Sequence, residues 1–500
     1  MPKRNTAVSP ESVTPSYKTF SKDRSIDAPL GVYPMIVAPA GDDVKRDVVA
    51  SDDVIRGVFK VDVKDDAARQ RAVTIVRTKG ISATSGLINF ICGMIGPGCF
   101  SLAISFKEAG LWGGFILVFV IGFLSLISMH KIVNCSQYLA KINGDQSLDY
   151  GEMAEAALLN SYSAVRPHAK KAKMIVNACL LSFQLGVISV TLVFSTEHVM
   201  EVYEYAFGHP PPFPKKILIL IFFVPQLLLN FIGHIKMLTV LSLFGNVVIF
   251  AAMSLIAKEL LFHDWYPVTS LHSFSGIEGM SIAAGALIYS FEGQAMVLPL
   301  ENSLKRSADM RGVTGVLTTS MNLVTILYAF LGFFGYVTFG DNVQGSLTLN
   351  LPNSVLSVSI KALLVAKMFF GSALQLFVIV QMLWPSVKAR LPEDSKVAQK
   401  LGPYALRAGL MLISLVMAVL VPNLMDIIPL VGITSGMLLS LILPSFLDLM
   451  VFLPMYSKQQ ERRKFVQKLV FILASKPSLT IIGSVAVDHR SAEAGDLKIE

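Results

Sequence analysis

The stretch that decides the fold is Asn89-Phe90-Ile91-Cys92-Gly93-Met94-Ile95-Gly96-Pro97-Gly98, which lies inside an apolar run covering 82–106. A run of that length is enough for a helix to cross a bilayer, which takes about 20 apolar residues. Yet three glycines and a proline in six residues make poor helix, since glycine costs about 1 kcal/mol and proline about 3 kcal/mol relative to alanine. Irregular backbone at membrane depth persists only where it lines a cavity or is enclosed by protein. Two readings fit this segment alone: an unwound stretch facing a cavity, or close helix packing on small residues with a kink at Pro97.

Working outward, apolar runs of spanning length recur along the chain. We read them at 82–106, 111–138, 174–203, 215–233, 237–262, 280–300, 313–339, 355–384, 404–421, 424–447 and 465–487. The last is interrupted by Lys468 and by Lys476-Pro477, so both a short crossing and a surface position are open to it. The chain of 500 residues is 53% hydrophobic and 16% charged, against about 25% charged in soluble domains. The expectation is an all-α integral membrane protein of about eleven transmembrane helices. Residues 1–81 are polar and aperiodic and read as a disordered tail, 82–487 form the membrane domain, and 488–500 a C-terminal tail. The apolar runs start deep in the chain, so no cleavable signal peptide is expected.

The formal charge of +8 calls for no nucleic acid. Basic residues gather in alternate loops, with Lys170, Lys171 and Lys173 in one, Lys305, Arg306 and Arg311 in another, and Lys388 and Arg390 in a third. That bias places the N-terminus in the cytoplasm. Cys92, Cys99, Cys135 and Cys179 all fall within spans and read as packing residues rather than disulfides. No spacing for metal ligands, no phosphate-cradling loop and no nucleophile elbow occurs in a suitable context. An enzyme, a bound cofactor and a nucleotide-driven pump are therefore not expected. In the tail, Tyr17-Lys18-Thr19-Phe20 and Tyr33-Pro34-Met35-Ile36 fit the short tyrosine pattern read by endosomal sorting adaptors.

The sixth span gives the first its meaning. Ser290-Phe291-Glu292-Gly293-Gln294 sits within it and Pro299 closes it. A carboxylate at that depth is costly and marks function or pairing. Interrupted helices at the first and sixth positions are the pattern of a five-plus-five inverted repeat whose site lies at the midplane. Half-helix N-termini there offer N–H groups to a substrate carboxylate. Glu292 has three roles open to it: taking a proton, pairing with Lys367 of the eighth span, or capping the broken helix. Lys367 itself either pairs inward or snorkels outward.

The same residues carry a family likeness. Asn89 to Gly98, followed by Lys107-Glu108-Ala109-Gly110, resembles the first helix of the amino acid/auxin permease family. Met129-His130-Lys131-Ile132-Val133-Asn134-Cys135-Ser136 looks like the end of the second helix in its proton-coupled amino-acid transporter branch. Phe291-Glu292-Gly293 through Met296-Val297-Leu298-Pro299-Leu300-Glu301-Asn302 is similar to that branch's sixth helix. Phe333, Gly335-Tyr336 and Phe339-Gly340, with Leu349-Asn350-Leu351-Pro352, continue the likeness, which covers about 85–484.

The resemblance implies symport of small neutral amino acids with protons, at the plasma membrane or on endosomes and lysosomes. It implies substrate contacts at Gly93, Gly96 and Gly98 and at Tyr289, Ser290, Phe291 and Gly293, and a proton-coupling role for His130 beside that of Glu292. Pro97 stands where the family has a small hydroxyl residue, and Lys367 where an uncharged one is expected. The change at Pro97 leaves a carrier of larger aromatic amino acids as an alternative. A membrane sensor that signals through the N-terminal tail is another.

Overall fold

A computed structural model describes residues 80–143, 147–231, 235–389, 391 and 396–458. The expected eleventh span at 465–487, the two tails and the tyrosine patterns at Tyr17 and Tyr33 lie outside the described residues. Among the described residues all regular structure is helical, and the one β-type contact is an isolated bridge between Ile81 and Leu304. Eight helical stretches are long and apolar enough to cross a bilayer, and they fall on expected spans. The two other expected spans in the described range are shorter pieces. The first is broken into Ala83–Met94, Pro97–Phe100 and Leu102–Ala109. The fourth, Lys215–Asn230, has 16 residues, or about 24 Å of helix.

The remaining spans are Leu111–Ile142 (second), Ala169–Phe207 (third), Ile235–Phe262 (fifth), Val316–Phe339 (seventh), Val355–Lys388 (eighth) and Lys396–Leu420 (ninth). The sixth is split into Ile277–Ser290 and Gln294–Ser303. The tenth runs from Leu424 to Lys458 and passes through two wider π-helical segments, Gly432–Gly436 and Leu438–Ile442. Such widening is rare and concentrates near functional sites.

Packing follows the five-plus-five pattern. The second span packs on the sixth and the seventh on the first; the third packs on the ninth and the eighth on the fourth; the third packs on the tenth and the eighth on the fifth. Advancing every ordinal by five exchanges the members of each couple. The halves are also inverted. Ile81, at the entry of the first span, exchanges backbone hydrogen bonds with Ser303 and Lys305 at the exit of the sixth (2.9 and 3.0 Å). At the other end, Leu111 after the first span bonds His272 before the sixth (2.8 Å).

Three features had no place in the sequence reading. A helix, Tyr150–Leu159, lies in the loop between the second and third spans and packs on the third and tenth. Asp149 and Glu152 form a reciprocal capping box at its start, the signature that opens a helix by satisfying orphan N–H groups. Secondly, the short fourth span ends inside the bundle, where Arg407 of the ninth donates to the Asn230 carbonyl at 2.8 Å. A cation at a helix C-terminus satisfies the last carbonyls and the dipole together. Thirdly, Lys361 of the eighth span, fully buried, pairs with Glu201 of the third at 2.6 Å. The four cysteines are free, as expected of packing residues.

Candidate functional site

The two breaks meet. The first half-helix of span one stops at Met94, Ile95 is extended, and Gly96 is the extended cap before Pro97. The first half of span six ends at Ser290, and Phe291-Glu292-Gly293 leads into Gln294. A Cβ built on Gly98 would lie 2.7 Å from Ser290 Oγ and 2.9 Å from the Tyr289 ring. Glycine at 98 is what lets one break touch the other.

A single phenol ties them. The Tyr328 hydroxyl, on the fully buried face of the seventh span, donates to the Met94 carbonyl at 2.8 Å and the Ser290 carbonyl at 3.1 Å. These are carbonyls at the two half-helix ends, and buried acceptors left bare cost about 1–3 kcal/mol each. The phenol shares its one proton between them, so Tyr328→Phe is expected to destabilise the protein by about 1–3 kcal/mol and to lower transport. The thermal midpoint of purified protein and its uptake rate check this; a midpoint equal to wild type would show that neither carbonyl depends on the phenol.

Between the breaks and the third and eighth spans lies a cavity of about 120 Å³. Its wall includes Gly93, Gly96 and Gly98 of span one and Tyr289, Ser290 and Glu292 of span six, all singled out from sequence. Phe291 and Gly293 are placed elsewhere. Phe291 is fully buried against the Tyr328 ring, 4.9 Å between centroids, and Gly293 is packed under Met94 and Met129. The reason is the turn itself: successive residues at the break point in different directions, so Tyr289, Ser290 and Glu292 face the cavity and Phe291 faces the core.

Glu292 is 8% exposed, and no side chain of the described residues hydrogen-bonds its carboxylate. Its nearest polar neighbours are the N–H groups of Gln294 and Ala295 at the start of the second half-helix, where the dipole favours an anion. The pairing with Lys367 left open by the sequence is not formed. Lys367 lines the same cavity, but no ion pair joins it to Glu292. Its stem leans instead on Gly245 of the fifth span.

His130 lies apart from the cavity. Its Nε2 is 2.9 Å from Thr318 Oγ1, and that hydroxyl donates to the Gly312 carbonyl at 2.7 Å. With its one proton committed, Thr318 accepts from His130, which assigns the Nε2–H tautomer. Nearby, Gln137 donates to Glu301 (2.9 Å) and accepts from Arg311 (2.7 Å). This network and the Ile81 bridge lie at the end of the bundle where the first span begins.

Sequence reasoning missed Gln184 and Thr191 of the third span and Ser372 and Gln375 of the eighth, which complete the wall. A signal existed. Lys367, Gly371 and Gln375 recur every four residues, one stripe of a helix in an apolar span. Among the described residues no cluster of metal-ligand type occurs.

The family model of the transmembrane amino acid transporter protein matches residues 79–487. The chain belongs to that family. It is 32% identical over 383 residues to the probable amino acid transporter skat-1 of Caenorhabditis elegans, covering 74% of this chain and 81% of that one. It is 28% identical over 367 residues to the proton-coupled amino acid transporter-like protein pathetic of Drosophila melanogaster, covering 73% and 76%. Among solved structures it is similar to the inward-facing conformation of Mhp1, with 13% identity, 81% and 92% coverage and a TM-score of 0.49. The protein is thus an integral membrane member of an amino acid transporter family, not an enzyme.

Proposed function

We propose that this transporter carries small neutral amino acids together with protons, by alternating access around the cavity between the two breaks. The observation that carries the reading is the cavity itself. It is enclosed by both breaks, holds one carboxylate that no side chain of the described residues bonds, and has about 120 Å³ of room. Drug-sized ligands occupy pockets of about 300–1,000 Å³, so the volume favours a small substrate over an aromatic one. The start of the second half of span one at Gly96, Pro97 and Gly98 receives the substrate carboxylate, and Glu292 serves as the proton-coupling group.

The relative named as proton-coupled supports the choice of ion, and the bias of basic loops supports a cytoplasmic N-terminus. His130, bonded to Thr318 outside the cavity, takes a supporting place at the end where the first span begins. The plasma membrane and the endosomal or lysosomal membrane both suit this activity. The test is labelled-substrate flux into proteoliposomes across an amino-acid panel, with proton or sodium gradients imposed separately. Uptake of glycine, alanine or proline driven by protons is expected; uptake energised by sodium alone would overturn the coupling.

A specific contact favours a second role. Gly80 and Ile81, the last two residues of the tail, are stapled to 303–305 at the exit of the sixth span. The position of that exit is thereby coupled to the tail, as a sensor signalling through residues 1–81 requires. Deleting 1–78 with uptake retained and signalling lost would support it.

A further inference from the structure

Lys367 is a cation in the cavity wall without an anion of its own. Among the described residues, the other buried cations of the spans have partners. Lys361 has Glu201, Arg407 has the Asn230 carbonyl, and Lys131 donates to Ser445 at 3.0 Å. No carboxylate oxygen of the described residues comes within 4.0 Å of the Lys367 ammonium. The titratable groups that face it are Cys92 and Cys99, thiols on the first span, rather than a counter-ion.

Its place is built. A Cβ on Gly245 would lie 2.6 Å from Lys367 Cγ, so the fifth span provides a groove for the stem. The side chain is held beside the break of span one instead of reaching for lipid headgroups. A charge kept at membrane depth is expensive, and such groups mark substrate or ion paths.

The neighbouring residue explains what is missing there. Pro97 occupies the first helical turn after the break and has no N–H to donate. The half-helix N-terminus therefore presents one donor fewer to an anion. On the same wall stand one carboxylate without a side-chain partner among the described residues, Glu292, and one unpaired ammonium, Lys367, which do not reach each other.

We propose that Lys367 anchors the substrate carboxylate, standing in for the donor missing at Pro97. The cavity then selects amino acids over amines that lack the carboxylate. This assignment rests on the amino-acid reading above and names the residue that sets its substrate class.

The experiment uses purified full-length protein in proteoliposomes, with labelled alanine as substrate and ethylamine as competitor. Removing one partner of a desolvated charge pair costs about 2 kcal/mol or more. K367Q is therefore expected to raise the KM for alanine about 30-fold or more, with turnover at saturation changed far less. The preference for alanine over ethylamine falls by the same factor, and K367R restores part of it. A purely structural lysine would lower turnover and leave KM and selectivity alone.

A second measurement needs no variant. Reductive methylation of Lys367 in the wild type, read by mass spectrometry, is expected to slow in saturating alanine and not in ethylamine. An unchanged alanine KM in K367Q, or equal methylation with and without alanine, overturns the role of Lys367 and leaves the transporter reading standing. Wild-type protein that moves none of glycine, alanine or proline under any gradient overturns both.

Discussion

Alanine at position 432 is expected to prevent assembly of the bundle, whereas alanine at position 96, in the cavity wall, is expected to leave it folded. Gly432 opens the π-helical part of the tenth span and touches Gly285 of the sixth, backbone to backbone. A Cβ on Gly432 would sit inside the van der Waals shell of the Gly285 carbonyl, 2.7 Å from its carbon and 3.1 Å from the Tyr289 nitrogen. The approach is tight, though less so, from the other side: a Cβ on Gly285 would meet the Ile433 side chain at 2.6 Å and the Pro429 carbonyl at 2.9 Å. Overpacked side chains can turn to other rotamers, and that limits the cost to about 1–3 kcal/mol. Main-chain atoms have no such escape, so the sixth and tenth spans must separate. The cost exceeds that range, at about 3 kcal/mol or more.

At Gly96 no atom lies within 4 Å of an added Cβ, and the backbone is extended, which any residue adopts. Thermal midpoints of detergent-purified G432A and G96A separate the two cases. Recovery of monodisperse G432A with a wild-type midpoint would show that the two spans do not approach in this way. The contact matters for transport too, because it fixes the half-helix that ends at Ser290 against the widened span. The position of Ser290 and Tyr289 in the cavity follows from it.

Such contacts show where the sequence stops being informative. The breaks were legible because glycine, proline and a carboxylate in apolar runs violate the local rules of a membrane helix, and each violation needs a cavity. Their placement five helices apart then gave the architecture. What the residues at the break do individually was not legible, since it depends on turn geometry. Phe291 and Glu292 are adjacent in sequence, yet one packs on Tyr328 and the other faces the cavity. Tyr328 was invisible for a related reason. One tyrosine in an apolar helix looks like packing until its hydroxyl is seen to hold two carbonyls. Lys367 and Glu292 each stand out in the sequence as charges within spans, and a pair between them was one of the roles left open; only the distances exclude it. The helix at Tyr150–Leu159 was within reach, because Asp149 and Glu152 have capping-box spacing, but it lies in a polar loop where hydropathy alone is silent.

Glu292→Gln is expected to abolish proton-driven accumulation while leaving exchange of substrate measurable. The substitution preserves size and nearly preserves shape, so the break keeps its packing against Gln294. It removes the one carboxylate on the cavity wall and with it the capacity to carry a proton through the transport cycle. Two features make Glu292 suited to that task. It is buried, with no side chain of the described residues bonded to its oxygens, so its state responds to whatever enters the cavity. It also stands at the seam between half-helices, beside the N–H groups of Gln294 and Ala295, where a small movement of one half changes the dipole field it feels.

His130→Gln is the informative comparison. His130 bonds Thr318 outside the cavity, so its replacement should alter rate modestly without uncoupling. Alanine accumulation under an inward proton gradient, set against alanine exchange at equal pH, reads both variants. E292Q that accumulates alanine at the wild-type rate would transfer the coupling role away from the cavity wall, and H130Q that loses accumulation while retaining exchange would transfer it to the end of the bundle where the first span begins.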